Sequence, residues 1–487
     1  MIQIRVKDEM FAYDMYHICK AFCPEQHIEQ VVSQNEDSPV QICIQMGADT
    51  CVVVDEEIIG FATRKEKKQY VNLKTYDWLS RVTGKQLAWG TLTGVRPTKL
   101  MMSLKESGMS DTEVSGYMKE HYRVTDQKIT LGLSVAKREK EILEQLDYEN
   151  GYSLYVGIPF CPSICSYCSF SSYPLSLWED KVEQYLDALC KELSFVASVS
   201  REKKLNTIYI GGGTPTTLSA KQLERLLSHI EEQFDDTELK EFTVEAGRPD
   251  SITREKLEVI KNHKVTRISI NPQTMQQKTL DIIGRRHTVE DIRKVYDMAR
   301  ELGFDNINMD LIAGLPGETV ADMQDTLEKI AKLKPDSLTV HALAMKRASK
   351  LSQEKKEIQR TNEEEAKLAE ELEQMIAISA EFAKQMDLEA YYLYRQKNIA
   401  GNFENVGYAK VDKAGIYNIL IMEEKQSIVA VGAGASTKIV LLEDQIFTDE
   451  KTGNQKKIAR VENVKDVEQY IHRIDEMIER KGEWLWR

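Results

Sequence analysis

Long apolar runs are missing from this 487-residue chain. No stretch approaches the roughly 20 consecutive apolar residues a membrane helix needs, so no membrane span is expected. The opening, "MIQIRVKDEMFAYDMYHICK", carries charges where a secretion signal needs an apolar core, and a cytoplasmic protein is expected. A positive excess is missing too. Lys and Arg number 65 against 78 Asp and Glu, a formal net charge of −13, which argues against a nucleic-acid partner. Internal repeats and low-complexity linkers are also absent. What is present, 42% hydrophobic residues over this length, suffices for two or three domains with real cores.

Eight cysteines stand out, Cys19, Cys23, Cys43, Cys51, Cys161, Cys165, Cys168 and Cys190. In a reducing compartment, clustered cysteines read as metal or redox chemistry rather than disulfides. Cys19, Cys43, Cys51 and Cys190 have apolar neighbours and read as ordinary buried thiols. The stretch "YVGIPFCPSICSYCSF" (155–170) is different. It sets Cys161, Cys165 and Cys168 apart by three residues and then two. A structural zinc site takes four protein ligands, and no Cys or His follows nearby to complete the set. Three thiolates suit an iron–sulfur cube with one iron left open. A zinc site and plain packing are the weaker alternatives.

Residues 1–60 read as short strands, among them "VQICIQMG" and "TCVVVDEEIIGFATR". From 66 to 147 the pattern turns helical, interrupted by "WGTLTGVRPTKL" (89–100), and Asn150-Gly151 is the stop signal. After it, short apolar runs ("SLYVGI", "TIYIG", "FTVEAG", "RISIN", "NINMDLI", "SLTVHA") alternate with helical stretches such as 219–234, 288–302 and 321–332. That alternation predicts βαβ units on a parallel sheet with right-handed crossovers. About six units predict an α/β chain with an incomplete (β/α)6 barrel, whose site lies at the strand C-terminal ends. The expected domains are an α+β unit over 1–150, the barrel over 151–345 and a helix-and-strand extension over 346–487 that completes the site. A long helix is expected at 361–386.

Further motifs fall at strand ends. "YIGGGTPT" (209–216) offers glycines that let a backbone approach a ligand, without the lysine of a phosphate loop. Glu245 ends the third strand, and Gln273, Arg285 and Asp310 follow at the next ones. Asp310 interrupts an apolar strand and there requires a partner. "GLPGET" after it reads as a strand-exit turn.

The cysteine spacing, with Tyr167 before the third cysteine, resembles the signature of radical S-adenosylmethionine enzymes. Together with "GGGTPT", "VEAGRPD", "NPQT", "IGRRHT" and "MDLIAGLPGET", it resembles the oxygen-independent coproporphyrinogen III oxidase family, and most of all its HemZ-type branch, marked by "GIPFCP". The resemblance is strong over 151–345, loose over 388–440 and only branch-level over 1–150. It implies a [4Fe–4S] cluster on Cys161, Cys165 and Cys168. It also implies one or two S-adenosylmethionines, the first touching Tyr155, Gly212 and Glu245. Tyr167, Gly213, Thr214, Gln273, Arg285, Asp310 and Ala344 would meet a second one or the substrate. Glu245, Arg285 and Asp310 are the expected catalytic residues.

The implied reaction is oxidative decarboxylation of two porphyrinogen propionates to vinyl groups through a 5′-deoxyadenosyl radical. A monomer is expected, reduced by a donor such as flavodoxin or ferredoxin. Arg248, Arg285, Arg286, Lys346 and Arg347 are the basic residues that could receive propionates. Two other functions stay open. One is a haem chaperone on the same barrel, although the His-Asn-x-x-Tyr-Trp motif of that branch is met here by Glu404-Asn405 and Tyr408-Ala409. The other is a radical porphyrin methyltransferase or haem-degrading enzyme. The family oxidase carries a histidine where this chain has Gly157, so that imidazole's role has no counterpart at that position.

Overall fold

A computed structural model describes all residues except 25, 34–37, 93, 95, 169–171, 344–361, 396–402, 449–454 and 487. The first 87 residues build a core of their own. Strands β1 (Ile2–Val6), β2 (Ile28–Val32), β3 (Val40–Met46) and β4 (Asp49–Val54) form a sheet in the order β2-β1-β3-β4. Helices α1 (Glu9–Phe22) and α2 (Arg64–Thr83) pack beside it, and Phe11, Ile18, Phe22, Ile42, Ile44 and Leu79 are among the residues that fill the space between. Helix α1 lies inside a stretch that the sequence pattern assigned to short strands. Asp8 starts it by accepting a hydrogen bond from the Met10 N–H.

Trp89 and the three following helices, α3 (Pro97–Glu106), α4 (Asp111–Tyr122) and α5 (Asp126–Leu143), pack instead with the large core of the second sheet. That sheet has eleven strands. Six run parallel in chain order, namely β5 (Gly151–Ile158), β6 (Lys204–Gly212), β7 (Glu241–Gly247), β8 (Arg267–Ile270), β9 (Ile307–Ala313) and β10 (Ser337–Ala342). This is the α/β architecture that the alternating pattern predicts. The strands are apolar and buried on both faces, as parallel strands covered by crossover helices must be. Those helices start on capping boxes, such as Ser219 with Gln222, Thr288 with Asp291 and Thr319 with Asp322.

The extension adds strands on both flanks. Antiparallel β11 (Glu389–Arg395) and β12 (Glu404–Ala409) follow β10, while β13 (Ser427–Val431) pairs parallel with β5 and leads to β14 (Ser436–Val440) and β15 (Ile458–Glu462). The long helix expected at 361–386 is Asn362–Gln385. The last helix, Ile474–Gly482, is tied to the barrel by charge. Fully buried Lys481 lies 3.1 Å from fully buried Glu192, which also accepts from the Tyr470 hydroxyl at 2.6 Å and the Gly432 N–H at 2.9 Å.

Candidate active site in the barrel

Five of the six parallel strands carry one half-open side chain in an otherwise sealed interior. These are Tyr155, Tyr209, Glu245, Asp310 and His341. Beyond β8, which is sealed throughout, the chain continues to Gln273. Side chains alternate between the faces of a strand, so a polar residue at the same height on successive strands lines one space. The helix Ile416–Glu423 fills that space from the opposite end of the strands. Its first N–H groups meet the carboxylate of buried Glu241, and Tyr417 stacks on Tyr209 with ring centroids 4.5 Å apart and on Tyr155 at 6.3 Å. The sequence pattern did not select Tyr209, Tyr417 or His341. Each interrupts an apolar run much as Asp310 does, which was the available signal.

Glu245 accepts from the Tyr209 hydroxyl. Burial pushes its carboxyl up to about 7, with the Tyr209 bond and Arg267 opposing and Asp310 adding to the rise. Asp310 accepts from Asn308 Nδ2 at 2.7 Å, the partner that its place in an apolar strand demands. Gln273 has a left-handed backbone (φ 68°), held by its N–H to the Asp310 carbonyl at 2.9 Å and by the Ile312 N–H on its own carbonyl at 3.0 Å. Strain of this kind persists where surrounding structure imposes it, commonly at ligand sites.

The cysteine loop leaves β5 and folds against the segment after β8. The Ser166 N–H donates to the Ile283 carbonyl at 3.1 Å, and Ser163 Oγ donates to Gly284 at 3.3 Å. Arg285 reaches from that segment to the Asn271 carbonyl and to the Tyr167 hydroxyl, the latter at 3.2 Å. Arg248 is held by both oxygens of Asp250 at 2.9 and 2.6 Å and donates to the Ser163 carbonyl at 2.8 Å. The same guanidinium lies 3.6 Å from Cys165 Sγ, and the Thr214 hydroxyl lies 3.6 Å from Cys161 Sγ. In the protein alone, burial pushes the Cys161 thiol up to about 11, against the Thr214 bond, so a thiolate there needs a cation's field.

The glycine loop pairs with the exit of β5. Gly213 N–H donates to the Ile158 carbonyl and Thr214 N–H to the Phe160 carbonyl, both at 2.7 Å. A side chain on Gly213 would meet the Phe160 carbonyl at 2.5 Å, and one on Gly212 (φ 109°) would meet backbone atoms of Ile158 at 3.1 and 3.2 Å. The glycines therefore serve the close packing of two loops first. Close approach of a ligand, the reason expected from sequence, is not needed to explain them.

Arg248 and Arg285 are both engaged on the cysteine loop, and Arg286 is exposed. Ala344, Lys346 and Arg347 lie outside the described residues.

Whether these residues fit an iron–sulfur cluster and a polar cofactor can be tested on donors and orphans. Among the described residues, no three Cys, His, Asp or Glu side chains close on one point as a single ion requires. A cube makes no such demand, because each thiolate binds a different iron. Hydrogen-bond donors to sulfur and flanking guanidinium groups are what a buried cluster calls for. Beside the loop, Ser166 Oγ, Asn271 Oδ1, Gln273 Oε1 and Arg285 Nε are buried without a partner, as groups awaiting a polar ligand would be. The site fits both.

Comparison with known proteins bears on the same region. The Radical SAM superfamily model matches residues 155–330. Over 433 residues the chain is 41% identical to the oxygen-independent coproporphyrinogen-III oxidase-like protein HemZ of Bacillus subtilis, covering 87% of this chain and 83% of that protein. The chain belongs to this HemZ-type family of radical SAM proteins. Family membership implies a [4Fe–4S] cluster and S-adenosylmethionine. Two further relatives of the HemZ-type chain match over 192 residues only, 39% of it. They are the heme chaperone HemW of Bacillus subtilis (38% identical, 50% of that protein) and the oxygen-independent coproporphyrinogen III oxidase of Escherichia coli (33%, 42% of that protein). The solved coproporphyrinogen III oxidase HemN of Escherichia coli shares the fold, with a TM-score of 0.53 at 22% identity over 70% of this chain and 73% of that one. No helix among the described residues is long and apolar enough to cross a membrane.

Proposed function

We propose that this HemZ-type protein oxidatively decarboxylates two propionates of coproporphyrinogen III to vinyl groups, giving protoporphyrinogen IX without oxygen. The observation that supports it best is the ring of half-open polar side chains on the parallel strands beside a loop of three cysteines, two of which, Cys161 and Cys165, face a hydrogen-bond donor. A propionate C–H has no acidity that a side-chain base could exploit, and the bound cluster and S-adenosylmethionine supply the organic radical that such a bond requires. The chain's residues do the rest. Cys161, Cys165 and Cys168 would hold the cluster, with Arg248, Arg285 and Thr214 supporting the sulfurs. Tyr155, Gly212 and Glu245 would hold one S-adenosylmethionine. Tyr167, Gly213, Gln273, Asp310 and Ala344 would meet a second one or the porphyrinogen. Tyr417 and the helix that carries it keep water from the interior, where a radical must be protected. A small reducing protein such as flavodoxin or ferredoxin would deliver the electron to a monomeric cytoplasmic enzyme.

A haem carrier is the second reading, since the barrel half also matches HemW, named a heme chaperone. Weighing against it is Glu404, which stands where that branch has its motif histidine. Glu404 is 1% exposed, accepts from Trp89 Nε1 at 2.8 Å and pairs with Lys128. A carboxylate so engaged has no reach to a haem iron. The deciding experiment is anaerobic reconstitution with iron, sulfide and S-adenosylmethionine, then incubation with coproporphyrinogen III under reduction. Release of 5′-deoxyadenosine with loss of two carboxyl groups by mass is expected. Stoichiometric haem binding without mass loss would establish the carrier, and a gained methyl group the methyltransferase.

A further inference from the structure

The half-open ring contains one basic side chain among its five members, and the family resemblance gives it no role. His341 stands on β10, the last parallel strand, with its side chain 27% exposed to the interior and that of Asp310 22% exposed beside it. Both ring nitrogens face oxygen. Nδ1 lies 3.3 Å from the Tyr394 hydroxyl, and Nε2 lies 4.0 Å from Asp310 Oδ2. With the hydroxyl donating to Nδ1, the ring proton sits on Nε2. At 4.0 Å that N–H is too far for a hydrogen bond to Asp310, so it is aimed into the interior without a direct bond to that carboxylate.

Among the described residues, the other basic groups near the strand ends are committed or, like Arg286, exposed on the surface. Arg248 and Arg285 support the cysteine loop, and Arg267 is sealed at 2% exposure against the Ser337 hydroxyl. A substrate with four carboxylates entering an interior that already holds Glu245 and Asp310 meets repulsion unless a cation is available there.

We propose that His341 is a specificity-determining residue that binds a substrate carboxylate through Nε2, with the Tyr394 hydroxyl on Nδ1 orienting its ring. This rests on the porphyrinogen reading. Alone, the imidazole is held below its usual range by burial, with Asp310 pulling the other way. A second carboxylate beside Nε2 favours the charged form further, so binding and proton uptake go together. Among the described residues, the charged and titratable groups that face this spot are Asp310 from β9, Tyr394 and Tyr392 from β11, and, through Asp310, Glu245 and Arg267.

The test compares free coproporphyrin III with its tetramethyl ester, which lacks the charges, binding to reconstituted protein followed by porphyrin fluorescence. The wild type should favour the free acid by about 10- to 100-fold, the range of one charge-assisted hydrogen bond. His341→Gln should lose most of that preference while ester binding, the cluster spectrum and thermal stability hold. His341→Lys should restore it, which a merely structural histidine would not allow. Full preference in His341→Gln, or no rescue by lysine, overturns the proposal. A wild type that decarboxylates the porphyrinogen without favouring the acid also overturns it, leaving the reaction standing. A wild type that neither binds nor decarboxylates overturns both.

Discussion

The N-terminal unit and the cysteine loop both bring cysteines within electrostatic reach of one another, and what surrounds them differs. In the first, Cys19 lies in the last turn of a helix, Cys23 caps it, Cys51 packs among Ile, Phe and Met, and Cys43 is half-buried on the adjacent strand. Burial pushes Cys19 and Cys51 up, and nearby thiols add to the rise. The Cys23 thiol lies 3.9 Å from the Met46 thioether, a weak donor meeting a weak acceptor. In the loop, a guanidinium and a hydroxyl point at sulfur, and Arg248 is itself held by Asp250. Proximity of thiols is common to both regions. Donors that favour a thiolate mark the loop.

That difference predicts its own largest effect. Cys168→Ala should abolish cluster assembly, read as loss of bound iron and sulfide and of the visible chromophore after anaerobic reconstitution. Cys19→Ala should leave iron content unchanged and cost about 1–2 kcal/mol of stability, the scale of removing one small buried apolar group. Iron retained by the first variant and lost by the second would reverse the assignment.

How far the sequence carries this contrast depends on distance along the chain. The cysteine spacing is local, so Cys161, Cys165 and Cys168 could be read directly. The parallel strands were legible because their apolar runs alternate with amphipathic helices. Arg248 lies 83 residues from the cysteine it faces, and no local pattern joins the two. His341 and Tyr417 reach the site through sheet register and a helix plugging the barrel, both tertiary facts. Trp89 shows the same limit. The segment around it reads as punctuation, yet its indole is bonded to Glu404, 315 residues later, and the Arg395 guanidinium donates to the Leu92 carbonyl at 2.6 Å.

A middle-sized effect tests the guanidinium. Arg248→Lys keeps a positive charge for Asp250 but cannot fork between that carboxylate and the loop. The expected result is cluster binding weakened by about 10- to 100-fold, the usual cost of losing an outer-shell partner, with the fold retained. The check is iron bound against a competing chelator, beside circular dichroism. Unchanged iron retention would mean that Arg248 merely packs.

The smallest effect is the most direct form of the comparison, because each region has one threonine hydroxyl donating to sulfur. Thr75 Oγ1 lies 3.1 Å from Met15 Sδ in the N-terminal core, and Thr214 Oγ1 lies 3.6 Å from Cys161 Sγ. Valine keeps the shape of either side chain and removes the donor. At Thr75 the sulfur is a neutral thioether that needs no donor, so Thr75→Val should change stability by about 1 kcal/mol or less and leave the cluster untouched. At Thr214 the sulfur would be a cluster thiolate, and reduction adds negative charge that the hydroxyl stabilises. Thr214→Val should therefore bind a full complement of iron yet be harder to reduce, seen as a more negative midpoint in a redox titration followed by electron paramagnetic resonance. Equal midpoints for the wild type and both variants would show that the hydroxyl at Thr214 is as indifferent to its sulfur as the one at Thr75.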